Sequence, residues 1–361
     1  SGCNSTYRER ERGEFYGEQP RFSWICPQRS GISTSTYGAD LRRTMMIPFK
    51  KEATRVAFGK ELLDLGRNNP NIVVLGGDLN KSTNANLFGS EFPSRFFDFG
   101  PAEQNIMSVA AGLASTGLIP VVTTFAVFGL CRPFDQIRVG IAQSSLNVKI
   151  VCTHAGITTG EDGASAHGIE DIALACSLPG FTVLAPSDSI ETVHALRAAI
   201  ETPGPFYIRL YRPESPVIHE SDYRFKLGKA DLLRDGKDVT VFACGVMCST
   251  ALQAAEDLKQ QNIECRVINI HTLAPADEDT IVQAALDTGA VVSVEEHYSH
   301  GGLASILAQI LARKLPVPME VVALEGYTES GKADELLSKY HLDVPDIVAS
   351  VKRVLKRKQQ S

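Results

Sequence analysis

Short apolar stretches alternate with longer amphipathic ones along the chain from residue 47 onward. The short stretches are rich in Val, Ile and Phe, which is typical of β-strands buried on both faces. They lie at 71–77, 95–100, 119–125, 148–154, 181–187 and 206–211. The longer stretches repeat apolar residues at helical spacing, as in 102–115 and 189–201. Strands that alternate with helices predict a parallel sheet covered by helices on both faces.

The same alternation starts again after a polar, irregular stretch near residue 222. Here we predict strands at 239–245, 264–270, 290–296 and 319–325, and helices at 249–261, 277–288, 302–314 and 346–360. Two short strands, 222–228 and 230–234, are predicted at the crossover. The predicted fold class is therefore α/β, with two consecutive doubly wound domains that span 47–222 and 223–361.

Residues 1–46 do not follow this alternation. They are polar, rich in Arg, Ser and Gly, and hold the single tryptophan, Trp24. A flexible extension is the prediction, with Met45 and Met46 as possible starts of the folded part. A short segment that docks on a partner is the alternative.

Composition excludes several classes of protein. A net charge of -6 disfavours a nucleic-acid-binding protein, because phosphate neutralisation needs a basic surface. No apolar stretch approaches the roughly 20 residues that cross a bilayer, and no secretory signal opens the chain. Several of the 8 cysteines lie inside apolar runs, as reduced, buried cysteines do, and no zinc-finger pairing is present. We predict a cytoplasmic protein with no metal site of its own.

Residues that suit catalysis or binding follow the predicted strands, where open α/β sheets hold ligands. Glu103 comes just after Gly100 and Pro101 at a predicted helix start. One interpretation is a helix cap or a partner for the helix dipole. The other is a partly buried carboxyl with raised proton affinity that shares a proton with a ligand nitrogen. On these residues alone both interpretations stay open.

Three further strand ends are candidates. Phe125 and Phe128 follow the strand at 119–125, where they either belong to the core or form a platform for a flat ring. The glycine-rich loop at 153–168 brings titratable side chains close together, namely His154, Glu161, Asp162 and His167. Arg209 and Arg212 end the strand at 206–211, where they could pair with a carboxylate or hold a phosphate.

A series of ordered motifs resembles the C-terminal half of the transketolase family, over about residues 51–354. GGDLNKSTN, GPAEQN, TTFAVF, THAGITTGEDG and RLYRPE resemble motifs of its pyrimidine-binding domain. VEEHYSHGGL and ESGKADELL resemble motifs of its C-terminal domain, which has a smaller mixed sheet. The GEDG loop and the SGK segment favour transketolases over the related deoxyxylulose-phosphate synthases and the beta subunits of 2-oxoacid dehydrogenases.

The resemblance implies the C-terminal subunit of a split transketolase, an enzyme of carbohydrate metabolism and pentose phosphate conversion. Such an enzyme uses thiamine diphosphate to transfer a two-carbon ketol unit from a ketose phosphate to an aldose phosphate. An N-terminal transketolase subunit would carry the diphosphate domain and hold Mg²⁺, in a heterotetramer of two chains of each kind. The alternatives are a 2-oxoacid dehydrogenase beta subunit, a deoxyxylulose-phosphate-synthase-like enzyme, and a non-catalytic assembly subunit.

The resemblance also implies roles for single residues. The expected catalytic residues are Glu103 and His154, and the expected cofactor-binding residues are Asp78, Glu103, Phe125 and Phe128. The expected substrate-binding residues are Ser82, His154, Asp162, His167 and Arg212. The chain departs from the family pattern at three positions, Cys131, Ala155 and Ala166. The two alanines leave the expected cofactor chemistry intact but leave the sugar specificity open.

Overall fold

The structure is a computed structural model that describes residues 50–360. The predicted extension at 1–46 lies outside these residues. Within them the strands are β1 Lys51–Ala53, β2 Ile72–Gly76, β3 Phe96–Asp98, β4 Ile119–Thr123, β5 Lys149–Cys152, β6 Thr182–Leu184, β7 Phe206–Arg209, β8 Glu214–Pro216, β9 Asp231–Arg234, β10 Val239–Ala243, β11 Cys265–Asn269, β12 Thr272–Ala274, β13 Val291–Tyr298 and β14 Met319–Leu324.

The helices alternate with these strands. They are α1 Thr54–Asn68, α2 Asn80–Thr83, α3 Asn86–Glu91, α4 Glu103–Ser115, α5 Ala126–Leu130, α6 Phe134–Gln136, α7 Asp171–Cys176, α8 Ser189–Glu201, α9 Met247–Lys259, α10 Glu278–Thr288, α11 Leu303–Lys314, α12 Ala333–Lys339 and α13 Val344–Lys358. A π-helical stretch, Ile137–Ala142, continues α6, and 3₁₀ turns occupy Pro93–Arg95 and Ile157–Asp162. In this part of the chain no helix is both long and apolar enough to cross a membrane.

The strands form two main sheets, as the alternation predicts. The first has seven strands in the order β12-β6-β7-β5-β4-β2-β3, and all its pairs are parallel except that of β12 with β6. The second has five strands in the order β14-β13-β10-β11-β9, with β9 antiparallel. The prediction of an α/β protein with a larger parallel sheet and a smaller mixed one is confirmed.

Alternate residues of each strand face opposite sides of the sheet. In β2, Ile72 and Val74 pack with α1 and α8, whereas Val73 and Leu75 pack with α4 on the other side. The apolar cluster that contains Val73 and Leu75 also includes side chains from one face of the second sheet, such as Phe242 and Ile268. The two α/β units therefore share one continuous apolar core.

One strand crosses between the two units. β12 follows β11 of the second sheet in the chain, yet it pairs antiparallel with β6 at the edge of the first sheet. Thr272 lies opposite Leu184, and the N–H of Ala185 donates to the carbonyl of His271. A segment within the predicted second domain thus completes the sheet of the first.

The short strand predicted at 222–228 is wrong, because these residues form no strand. Their apolar side chains instead pack individually: the Tyr223 hydroxyl donates to Glu191, and the Phe225 ring lies 4.4 Å from that of His271. The alternation of apolar and polar residues at 222–228 therefore reflects the separate contacts of these side chains and not the hydrogen-bond pattern of a strand. The neighbouring prediction at 230–234 corresponds to β9.

A buried histidine, His219, lies in the segment that connects the two α/β units and contacts a carboxylate of each. His219 contacts Asp188 at the start of α8 through Nδ1 (2.9 Å) and Asp231 of β9 through Nε2 (3.1 Å). Burial lowers its pKa, but the hydrogen bonds with the two carboxylates outweigh burial and raise the pKa to about 10. The imidazole is therefore protonated at neutral pH and bridges two anions.

Replacing His219 by glutamine is expected to lower the free energy of unfolding by about 2–4 kcal/mol near pH 6, because it leaves two carboxylates without their cation. The protonated imidazole contributes its full stabilisation below the ordinary histidine pKa. That contribution decreases as the pH rises toward the raised pKa of about 10. Urea unfolding between pH 6 and 10 should therefore show the difference from wild type shrinking with pH. The exposed His300, changed to glutamine, is the control. A difference that does not vary with pH would contradict the bridge.

Candidate functional site

The sequence-predicted residues gather along one edge of the first sheet. Parallel strands end at the same edge, and the segments after β2, β4, β5 and β7 carry Asp78, Phe125, His154 and Arg212 respectively. Glu103 joins them because α4 begins after β3, which belongs to the same sheet. The position of the site thus follows from the strand order.

Glu103 opens helix α4 with its side chain almost fully buried, at 4% exposure. The turn before it depends on Gly100, whose φ of +65° is a conformation that favours glycine. The carboxyl Oε1 accepts a hydrogen bond from Nη1 of Arg132 at 3.0 Å. The residue before the helix, Ala102, has no side-chain cap. The geometry therefore favours a carboxyl directed at a polar group over a capping role.

Two phenylalanine rings lie beside this carboxyl. Phe125 and Phe128 are nearly parallel, with centroids 5.9 Å apart. The ring of His154 stacks on Phe125 at 3.7 Å, and the guanidinium carbon of Arg132 lies 4.0 Å from the centroid of Phe128. Arg132 thus connects the aromatic pair to Glu103. Each of the two rings has a planar group of this chain against it, and their role as a platform for a flat ligand stays a prediction.

Several buried groups near this platform suit a polar, flat ligand. The hydroxyls of Thr123 and Thr124 at the end of β4 are buried and have no hydrogen-bond partner among residues 50–360. A Cβ atom placed on Gly77 would lie 3.6 Å from the Thr124 hydroxyl and 3.3 Å from Ile106. A carboxyl, two aromatic rings and unpaired hydroxyls together fit a planar nitrogen heterocycle, which offers both polar edges and apolar faces.

His154 is held in an unusual backbone conformation in the loop after β5. Its φ is +57°, and its Nδ1 lies 2.8 Å from the Thr153 hydroxyl. Burial, and then the positive charges of Arg55 and Arg212, lower its pKa to about 3. The imidazole is therefore neutral near pH 7, and no residue of the described chain hydrogen-bonds to its Nε2. A neutral ring with one available nitrogen suits a hydrogen bond to a sugar hydroxyl.

The second domain holds the loop that follows His154. The carboxylate of Glu296, which is fully buried, accepts a hydrogen bond from the N–H of Thr158 at 2.6 Å. Gly156 must be a glycine here, since its φ is +74° and a Cβ would lie 2.1 Å from Glu296. Ser330 donates to the carbonyl of Glu161 in the same loop. The VEEHY and SGK motifs therefore act by positioning the loop at 153–163.

His167 makes hydrogen bonds within the chain through both ring nitrogens. Nδ1 lies 2.6 Å from the Thr328 hydroxyl and Nε2 lies 3.0 Å from the carbonyl of Gly160. Burial lowers its pKa, so the neutral ring can accept from the hydroxyl and donate to the carbonyl. This geometry braces the loop, and a contact with substrate stays a prediction.

Two arginines form a positive group near His154. Arg212 Nη1 donates to the carbonyl of Thr159 and lies 3.3 Å from Glu161 and 3.7 Å from Asp162. Arg55 donates through Nε to the carbonyl of Arg212 at 2.9 Å, and through Nη1 to that of Ser82 at 3.0 Å. Burial and the charge of Arg212 lower the pKa of Arg55. Guanidinium groups suit the binding of an anion, although Arg212 already has two carboxylates against it.

Asp78 follows β2 at the same edge of the sheet. It is exposed, has a φ of +62°, and its N–H donates to Asp98 at 3.0 Å. It lines an open surface pocket that Ser82 also lines. The structure thus brings Asp78 together with Ser82, while its contact with a cofactor stays a prediction. Among residues 50–360 no group of three or more His, Cys, Asp or Glu side chains could hold a metal ion.

Sequence reasoning missed Arg55 and Arg132. Arg55 lies in α1, a helix that the pattern analysis did not identify, and no strand end marks it. Arg132 lies in the turn between α5 and α6, where a charged residue is normally solvent-exposed. Its charge does not single out Arg55, since Lys60, Glu61 and Asp64 are charged in the same stretch. For Arg132 only the folded chain shows the contact.

Comparison with protein families gives two matches that cover most of the chain. Residues 50–217 match the family described as "Transketolase, pyrimidine binding domain". Residues 228–347 match the family described as "Transketolase, C-terminal domain". The matched ranges follow the two predicted domains in order.

Relatives and a solved structure agree with these matches. The chain is 40% identical to the "Putative transketolase C-terminal section" of Methanocaldococcus jannaschii, over 84% of this chain and 96% of that protein. It is 39% identical to the "6-deoxy-6-sulfo-D-fructose transketolase subunit SqwH" of a Clostridium species, over 82% and 92% respectively. The solved "Split gene transketolase, inactive beta4 tetramer" is 44% identical, with a TM-score of 0.79, over 86% of this chain and 100% of that one. Of several mammalian transketolase-like proteins the chain spans only about half, 48% to 52% of their length.

Proposed function

The chain belongs to the transketolase family, and from this premise we propose that it is the C-terminal subunit of a two-subunit transketolase. It would transfer a two-carbon ketol unit from a ketose, phosphorylated in our proposal, to an aldose. The observation that carries the proposal is the buried Glu103 carboxyl beside the Phe128 ring, with Arg132 in contact with both. A carboxyl and an aromatic face arranged this way suit the edge and the face of an aminopyrimidine.

Thiamine diphosphate supplies, when bound, the electron sink that allows a carbon–carbon bond beside a ketose carbonyl to break and form. Glu103 would hold a proton at its carboxyl oxygen against a ring nitrogen, in a pocket that excludes water. Phe125 and Phe128 would pack against the ring and orient it. Each of these roles uses a side chain that the first domain already positions.

The sugar would lie toward His154 and the two arginines. The neutral His154 would exchange a hydrogen bond with a sugar hydroxyl through Nε2, and Asp162 would accept from another. Arg212 and Arg55 would bind the acidic group of the substrate together with Ser82, whose main-chain carbonyl accepts from Arg55. Guanidinium groups recognise a sulfonate as they do a phosphate, and one relative is named for a sulfo-sugar. We propose that the acidic group of the substrate is a phosphate. A sulfonate is the alternative, because the same arginines could bind it.

We further propose a partner that carries the diphosphate domain and holds Mg²⁺, in a heterotetramer of two chains of each kind. Two findings support this: the chain matches about half of the longer relatives, and a solved relative is named as an inactive tetramer of β chains. Action on pentose phosphates in the cytoplasm stays part of the proposal.

The assay that tests the function uses the chain assembled with its diphosphate-domain partner, thiamine diphosphate and Mg²⁺. Ketol transfer from a pentulose phosphate to an aldose phosphate is the expected reaction. Release of CO₂ from pyruvate, without ketol transfer from a ketose, would instead identify the 2-oxoacid dehydrogenase or deoxyxylulose-phosphate-synthase-like alternatives. Turnover of neither kind with an assembled, cofactor-loaded complex would favour a non-catalytic assembly subunit.

The positive group at Arg212 yields a separate prediction. Arg212→Ala is expected to raise KM about tenfold or more for phosphorylated sugars and far less for unphosphorylated ones, because a charge-assisted contact to the phosphate is lost. Steady-state kinetics on matched pairs of sugars measures the two effects. Arg67→Ala is the control, since Arg67 is also an arginine paired with a glutamate but lies on the surface of α1. Equal increases for both sugar types would contradict a phosphate contact.

A further inference from the structure

Arg132 makes two contacts with one planar group. Its Nη1 donates to Oε1 of Glu103 at 3.0 Å, and its guanidinium carbon lies 4.0 Å from the centroid of the Phe128 ring. The side chain of Gln104 donates to the main-chain carbonyl of Arg132 at 3.4 Å, which ties the turn to helix α4. The arginine therefore covers both the acid and the aromatic face of the proposed cofactor site.

The guanidinium resembles an aminopyrimidine in the features that these two residues recognise. It is planar and delocalised, it carries N–H donors in its plane, and it stacks on aromatic faces. An aminopyrimidine is also planar and presents nitrogen groups at its edge. A separation of 4.0 Å between the guanidinium and the ring centre is close to van der Waals contact, so no second ring fits between them. The two groups compete for one place.

The other aromatic ring offers no open alternative on its stacked side. His154 covers a face of Phe125 at 3.7 Å. The exposures also differ across the ion pair: the side chain of Glu103 is 4% exposed and that of Arg132 is 49% exposed. A half-exposed side chain can turn into solvent, whereas the buried carboxyl at the start of α4 is fixed by its helix. Arg132 is therefore the member of the pair that can leave.

We propose that Arg132 is a placeholder: it occupies the pyrimidine position in the cofactor-free chain and is displaced when the ring enters. The inference rests on the proposed function and adds a positioning residue to it. Without the ring, Arg132 neutralises a buried carboxylate that would otherwise lack a partner. When the ring arrives, the contacts of Arg132 with Glu103 and Phe128 are lost, which lowers the affinity for the cofactor.

Affinity for thiamine diphosphate is the first test. In the complex assembled with its partner and Mg²⁺, Arg132→Ala is expected to bind thiamine diphosphate about tenfold more tightly than wild type by calorimetry, because the competing ion pair and cation–π contact are gone. Arg138→Ala is the control and should not change the affinity. Arg138 is also a half-exposed arginine paired with an acid, Asp135, and it has no contact with Glu103.

Reactivity of Arg132 toward phenylglyoxal is a second test and needs neither turnover nor partner. In the full chain, Glu103→Gln removes the charge that holds the guanidinium but keeps the size of the side chain. Mass spectrometry is expected to show several-fold faster labelling of Arg132 in this variant, with Arg138 unchanged. Equal labelling rates at Arg132 would overturn the placeholder.

The outcomes separate this inference from the function on which it rests. If wild type binds thiamine diphosphate and Arg132→Ala binds it equally or more weakly, the placeholder is wrong and the proposed function stands. If no assembled form binds thiamine diphosphate, both are wrong. Tighter binding by Arg132→Ala, with unchanged binding by Arg138→Ala and faster labelling in Glu103→Gln, is the result that supports the placeholder.

Discussion

Glu103→Gln is expected to lower kcat for ketol transfer by the assembled enzyme about 10²–10⁴-fold, the range typical of losing a positioned acid or base. The amide keeps the size of the side chain and an oxygen that can accept from Arg132. It cannot take up or release a proton. Because Glu103 is buried, water has little access to replace it. The variant should therefore still fold and assemble, with a loss of stability like that of other buried ion pairs, while losing turnover at saturating cofactor.

A matched control separates this effect from the removal of any buried carboxylate. Glu61 in α1 is 7% exposed and pairs with Arg197 through two hydrogen bonds of 2.7 and 3.0 Å. Its burial and its partner resemble those of Glu103, but it lies on the α1–α8 side of the first sheet. Glu61→Gln is expected to lower stability and leave kcat within about twofold. If Glu103→Gln keeps near-normal turnover, the carboxyl has no role in the chemistry.

The second large effect is expected from leaving out the partner subunit. The chain alone should show no measurable ketol transfer, and titrating it with the diphosphate-domain chain, thiamine diphosphate and Mg²⁺ should restore activity up to an equimolar ratio. In our proposal the described residues contact the ring and the sugar, and the partner holds the diphosphate and Mg²⁺; among residues 50–360 no group of three or more His, Cys, Asp or Glu side chains could hold a metal ion. A cofactor held at only one end is neither bound tightly nor oriented for reaction.

Two measurements make the partner experiment decisive. Ultracentrifugation of the mixture should show a species of two chains of each kind, formed equally well by wild type and Glu103→Gln. Only the wild-type mixture should turn over. Full ketol transfer by the isolated chain would refute the split-enzyme proposal, whereas assembly without activity in wild type would refute the catalytic one.

The local pattern of the sequence was sufficient to place several candidate site residues at the ends of strands. Each of Asp78, Phe125, His154 and Arg212 follows a predicted strand, and strand order carried them to one edge of the sheet. What local pattern could not supply were contacts between distant segments. Arg132 and Glu103 are 29 positions apart, and the contact depends on how the α5–α6 turn packs on α4.

Other errors have similar physical causes. Residues 222–228 alternate apolar and polar side chains as a strand does, but the alternation arises from separate contacts of Tyr223 and Phe225. β12 is only three residues long, and its partner is an edge strand of the other unit. Such pairing depends on tertiary arrangement, which neither propensity nor periodicity records.

The crossing of β12 bears on how such proteins can recombine. A chimera joined near residue 222 would take Thr272–Ala274 from a different parent than the β6 strand they flank. A mismatch there would leave a sheet edge poorly covered, and such edges promote aggregation. Exchange of C-terminal halves between relatives should therefore succeed only when Thr272–Ala274 of the donor fit the β6 strand of the recipient. These three residues are best taken from the same parent as residues 47–222.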